Sequence, residues 1–192
     1  MPDTPLPAMD FLLTRRSRPA KTLTTPVPDR ASLMPILTAA ARTPDHGKLE
    51  PWRFIVLERK ALLRLGALVA DRGAVLGRDA ADIDKARSAY DAAHLAVVVV
   101  EAQKPSEKIP AIEQTYSAGA VCLSLLNAAL ASGWGANWLT GWPVFDRHFV
   151  DQGLGLSASE RVAGVIHIGS ATSTPPDRPR PDVTALTTWA TE

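Results

Sequence analysis

The apolar positions of this chain recur at helical spacing in some stretches and form unbroken β-branched runs in others. Residues 9–16 carry Met9, Leu12 and Leu13 on one face and predict a short helix. After a Pro- and Thr-rich linker over 19–28, Leu33, Ile36, Leu37, Ala40 and Ala41 follow Asp29, a suitable N-cap for a second helix. Pro35 conflicts with that start, since an interior proline removes a helical hydrogen bond at a cost of roughly 3 kcal/mol. Either the helix kinks there or it begins at Ser32, which puts the proline in the tolerated first turn. A loop over 43–51 then leads into a strand over 52–58. Leu62, Leu65, Leu68 and Val69 predict a helix over 61–70, the Gly- and charge-rich 72–82 reads as a mobile connection, and a helix resumes over 83–92.

The run over 95–101 has no polar alternation, the pattern of a strand buried on both faces. Residues 113–132 form the longest helix candidate, with almost no charge after Glu113, and are expected to be buried nearly all round. Its small residues Ser117, Ala118, Gly119 and Ala120 permit close approach of another backbone, and Gly133 closes it as a C′ glycine. A strand over 136–139, a helix over 145–152 and a strand over 162–169 follow. The tail over 172–181 holds four prolines and should run extended across a surface. Strands separated by helices, with one central apolar helix, indicate an α+β or α/β domain. A leader over 1–8 is expected to be disordered, with a single domain over 9–192.

Composition narrows the function. Of 192 residues, 46% are hydrophobic and 21% charged, with a net charge of +1. That leaves no sequence-wide basic field for nucleic acid. The longest apolar run, 95–100, is too short to span a bilayer, and no secretory signal opens the chain. The single cysteine, Cys122, excludes an internal disulfide and fits the cytoplasm. His46, His94, His148 and His167 lack metal-ligand spacing, so no metal site is expected.

Three segments carry candidate chemistry. Arg15-Arg16-Ser17 offers two guanidinium groups and a hydroxyl to a phosphate, or else forms a solvated charged patch. The loop from Arg42 to Phe54 surrounds His46 with turn residues; Arg42 and His46 aim at a polar ligand, or His46 braces the loop. Asp45 beside His46 is an acid-base pair in sequence, with no activated nucleophile nearby. Finally, 134–142 holds three of the five tryptophans, and strand alternation puts Trp138 and Thr140 on one face. Tryptophan edges there can wall a pocket for a planar ligand, or pack in the core.

In order and spacing, these motifs resemble the FMN-dependent nitroreductase family, in its small YdjA-like branch. The resemblance runs from Met9 to Gly169 through Arg-Arg-Ser, Arg-x-Pro-Asp-His with Pro-Trp-Arg-Phe, Ser-Ala-Gly and Gly-Trp-Gly…Trp. It implies a nitroreductase-like α+β fold, a mostly antiparallel central sheet flanked by helices, in a homodimer joined through the long central helix with FMN sites at the interface. By the same resemblance Arg15, Arg16 and Ser17 hold the phosphate and ribityl end, and Arg42 and His46 reach the flavin of the other subunit. Trp138, Leu139 and Thr140 complete the pocket. Ala128, Ala129, Leu130, Ala131, Ser132 and Gly133 lie near the NAD(P)H donor. Two positions depart from the family pattern. Glu50 stands where a neutral amide is common and calls for a partner such as Lys48 or Arg53, and Leu139 replaces a common arginine.

The implied activity is an NAD(P)H-dependent oxidoreductase that reduces nitroaromatic, quinone or similar acceptors by a ping-pong hydride mechanism. No side chain is then an obligatory acid or base, because the flavin N5 carries the chemistry. A non-enzymatic flavin-binding module is the alternative. A third reading, dehalogenation or flavin breakdown, needs a lid, for which only 72–82 is available.

Overall fold

The computed structural model describes residues 8–191. The leader expected over 1–8 therefore lies outside the described residues, except for Ala8, which opens α1 (Ala8–Thr14). The chain continues through β1 (Leu23–Thr24), α2 (Arg30–Ala40), β2 (Trp52–Glu58), α3 (Arg59–Val75) and α4 (Ala80–Asp91). It then forms β3 (Leu95–Glu101), α5 (Ala111–Ala131), β4 (Gly135–Leu139), α6 (Arg147–Leu154) and β5 (Arg161–Ala171).

These strands make one five-stranded sheet in the order β1-β5-β3-β2, with β4 also on β5. Every pairing is antiparallel. The mixed helix and strand pattern thus resolves as α+β. As the unbroken run predicts, β3 is buried along its whole length. Ala96, Val98 and Val100 face a core shared with α3, α4 and α6, while Leu95, Val97 and Val99 face one shared with α2 and α5. Each fully buried valine contributes about 1.5–3 kcal/mol, so this strand anchors both layers.

Helix α2 starts at Arg30, capped by Asp29 Oδ1 accepting from the Ser32 backbone N at 2.8 Å. Pro35 therefore sits inside the helix, but on its exposed side, where water can meet the freed carbonyl. The segment 72–82 is mostly helical. Helix α3 runs on to Val75, and Arg72 forks onto both carboxylate oxygens of Asp146 at 2.6 and 3.2 Å. A side chain at Gly73 would collide with Ile83, so the glycine lets α4 pack tightly against α3. Only a short turn remains between the two helices, too little for a lid.

Helix α5 ends in a Schellman motif. The Trp134 N–H reaches Ala129 O and the Gly133 N–H reaches Leu130 O, both at 3.0 Å, with Gly133 at φ 83°. The helix is not buried all round: Ile112, Tyr116 and Leu123 are 52%, 69% and 46% exposed along one stripe. Among the described residues no helix is long and apolar enough to cross a membrane.

Candidate functional site

The loop after α1 is pinned to β4. Arg18 N–H donates to Ala136 O at 2.8 Å, and the Asn137 side-chain amide donates to Arg18 O at 2.7 Å. This holds Arg15, Arg16 and Ser17 at the sheet, with Arg15 Nη2 donating to Ser17 Oγ at 3.0 Å. The tail brings a further cation. Arg180 donates to Asp177 at 2.7 Å, and Asp177 lies 3.9 Å from Arg16. Burial, then the charges of Arg180 and Arg16, lower the Arg15 pKa from its ordinary value. Arg15 Nε, Arg16 Nε and Arg18 Nη1 are buried and find no hydrogen-bond partner among the described residues. Guanidinium groups with unused donors are chemically suited to an anion with several acceptor oxygens. Arg180 was not legible as part of it, because only the fold returns the tail to the first loop.

A cavity of about 310 Å³ opens beyond the end of β4, between the sheet, α4 and the turn after Gly141. Leu139 and Thr140 line it; Trp138 does not. Strand alternation had grouped Trp138 with Thr140, but β4 ends at Leu139 and Thr140 leaves the strand register. Trp138 instead lies over Gly164 on β5. His167 and Trp142 line it, together with Val144, Val165 and Ala89. Lys85 and Asp82 of α4 supply the lining charges. Neither stood out in sequence from an ordinary solvated helix face. His167 is 3% exposed, and burial pushes its pKa down to about 4, so the imidazole is neutral.

The loop over 43–51 is strapped to one face of α5. Thr43 Oγ1 donates to Ser124 Oγ at 3.0 Å, Ser117 Oγ donates to Pro44 O at 2.9 Å, and Trp52 Nε1 donates to Ser117 Oγ at 3.1 Å. These bonds help offset backbone cost, because Lys48 and Glu50 hold left-handed φ values of 54° and 49°. His46 Nδ1 donates to Glu113 Oε2 at 2.7 Å, while Asp45 accepts from the Glu50 backbone N at 2.6 Å. The Asp45–His46 acid-base pair is therefore not formed. Nor does Arg53 neutralise Glu50, since it forks onto Glu160 at 2.6 and 3.0 Å. Arg42 and His46 are both exposed, and His46 meets α5 through Glu113.

Of the 128–133 segment, Ser132 is exposed, whereas Ala129 is fully buried against the core. Cys122 is buried and its thiol is pushed up to about 12, which leaves it inert. Among the described residues no group of three or more His, Cys, Asp or Glu could hold a metal ion.

An antiparallel sheet between two helical layers, with a cluster of arginines held at β4 and a cavity beyond its end, defines an α+β protein. The chain belongs to the nitroreductase family, whose profile matches residues 12–170. YdjA of Escherichia coli K12, provisionally named an NAD(P)H nitroreductase, is 33% identical over 163 residues, covering 85% of this chain and 87% of YdjA. A Haemophilus influenzae protein with the same provisional assignment is 35% identical over 167 residues, covering 85% and 88%. Among solved structures, a nitroreductase-like family protein from Bacillus cereus superposes with a TM-score of 0.77 at 22% identity, over 99% of both chains. A candidate nitroreductase from Desulfovibrio desulfuricans, solved with FMN, gives 0.74 at 19% identity over 97% and 99%.

Proposed function

We propose that this chain is an FMN-dependent oxidoreductase, taking reducing equivalents from NADH or NADPH and passing them to a nitroaromatic, quinone or similar organic acceptor. The observation that carries this reading is the set of three buried guanidinium nitrogens without a hydrogen-bond partner among the described residues, on a loop pinned to β4, the strand beyond whose end the cavity of about 310 Å³ opens. A phosphate takes the first and a planar ring fits the second. The names of the relatives and the FMN-bound neighbour support the same reading. FMN, when bound, supplies the hydride-accepting and hydride-donating chemistry; the chain's residues bind, orient and shield it.

In this reading Arg15, Arg16 and Ser17 hold the phosphate and ribityl end, with Arg180 added. Leu139 and Thr140 border the ring, and Trp138 buttresses β4 from its other face. The positive field of the arginines also favours an anionic reduced cofactor. Arg42 and His46 serve the site of a second subunit, joined along the exposed stripe of α5. Glu113 fixes the His46 ring, leaving Nε2 directed away from the helix. The nicotinamide donor approaches near 128–133, where Ser132 offers the exposed surface.

Titrating the full chain with FMN tests the binding half of this proposal. Arg16→Ala and Arg180→Ala each remove a charged donor, and each should weaken FMN binding about tenfold or more. Unchanged affinity in both variants contradicts the phosphate assignment.

A further inference from the structure

We propose that His167 and Trp142 recognise the imide edge of the flavin, the C=O/N–H/C=O side of its pyrimidine ring, in the cavity beyond β4. This rests on the FMN reading and deepens it, by assigning two residues that neither the motifs nor the family resemblance singles out.

The first ground is unused hydrogen-bonding capacity. His167 Nδ1 and Trp142 Nε1 are both buried without a partner among the described residues, and both residues line the same cavity. An indole N–H can only donate, whereas a neutral imidazole carries one donor and one acceptor. Burial keeps the imidazole neutral, so with its proton on Nε2 the Nδ1 accepts, and the cavity lining then holds an uncharged donor and an uncharged acceptor. A carbonyl next to an N–H satisfies both at once. A phosphate or a carboxylate accepts from the indole but gives the imidazole acceptor nothing, a cation does the reverse, and either charge would be desolvated there.

The second ground is shape. Among the lining residues, Val144, Val165 and Ala89 present apolar surface suited to the faces of a flat ring.

The third ground is position. In the β4–β5 register His167 stands directly opposite Asn137, and Asn137 is the residue that holds Arg18 O. One residue pair therefore links the arginine cluster to the cavity. A mononucleotide with an anionic phosphate at one end and an imide at the other matches that order.

The test titrates the full-length protein and its variants with FMN, riboflavin and 3-methylriboflavin, following quenching of flavin fluorescence. His167→Leu and Trp142→Phe should weaken FMN and riboflavin by the same factor, about tenfold each. Arg16→Ala should weaken FMN alone, since riboflavin has no phosphate. Wild type should prefer riboflavin to 3-methylriboflavin, which lacks the imide N–H, and His167→Leu should lose that preference. His167→Leu should melt no lower than wild type, because it removes an unpartnered buried polar atom. Riboflavin affinity unchanged in both His167→Leu and Trp142→Phe overturns the proposal while leaving the FMN reading intact. So does weakened binding accompanied by a lowered melting temperature in both variants. A wild-type protein that binds neither FMN nor riboflavin overturns the FMN reading and this inference with it.

Discussion

His167 couples the cavity to pH. Its pKa is held down to about 4 in the folded chain, against an unperturbed value of about 6.5 when unfolded. Between these values the unfolded chain binds a proton that the folded chain refuses, so stability falls as pH drops through that window, by roughly 3 kcal/mol in full. Glu160 acts lower down. Its hydrogen bonds from Arg53 hold its carboxyl at about 2, so its stabilisation is lost only as pH falls from the ordinary carboxylate range toward that value. Comparing urea midpoints at pH 7 and pH 5, wild type should lose about 2 kcal/mol more than His167→Leu. Equal losses contradict a buried neutral imidazole. At this scale the sequence was legible where chain neighbours stay together in space, as with Arg15 bonded to Ser17 and Leu139-Thr140 lining one cavity. It was silent on Arg180 and His167, whose neighbours at the arginine cluster and the cavity lie far away along the chain. It misled on the pairing of Trp138 with Thr140, where strand alternation was carried one residue past the end of β4.

Helix α5 carries the strapped loop and an exposed apolar stripe side by side. On one face Glu113, Ser117 and Ser124 hold the His46 loop. On a neighbouring stripe Ile112, Tyr116 and Leu123 stay exposed. An apolar stripe bordered by a strapped loop is the surface proposed here for the second subunit. Leu123→Glu should weaken self-association about tenfold or more in sedimentation analysis, and FMN retention should fall with it, because Arg42 and His46 would leave the neighbouring site. A wild type that remains monomeric with FMN bound contradicts this. The helix's low charge was visible in sequence, but low charge does not distinguish burial in a core from burial in an interface, so the expectation of burial all round went too far. The segment 72–82 failed for a different reason. Glycine and charge suggested mobility, yet Gly73 serves a helix contact and Arg72 a paired carboxylate. The strands 52–58 and 95–101 were read with their observed bounds, since β-branched runs stop sharply at polar residues.

Across the whole molecule the fold follows from one buried strand. With β3 apolar on both faces, each face of the sheet needs a helical cover, and the chain has enough amphipathic segments to supply both. What the sequence alone left open between α+β and α/β was settled by strand direction, because every described pairing is antiparallel. The phosphate half of the proposed cofactor site draws on both ends of the chain, and the ring half on its middle. Arg15 and Arg16 follow the first helix, Arg180 lies in the tail, and the cavity is assembled from α4, β4 and β5. The central claim is that this site binds FMN and exchanges electrons through it. Anaerobic visible spectroscopy of the full-length protein with one equivalent of FMN tests that claim most directly. The account predicts a bound flavin spectrum that bleaches on adding NADH or NADPH and returns on adding a quinone or nitroaromatic acceptor. A protein that takes up no FMN, or whose bound flavin neither nucleotide bleaches, contradicts it.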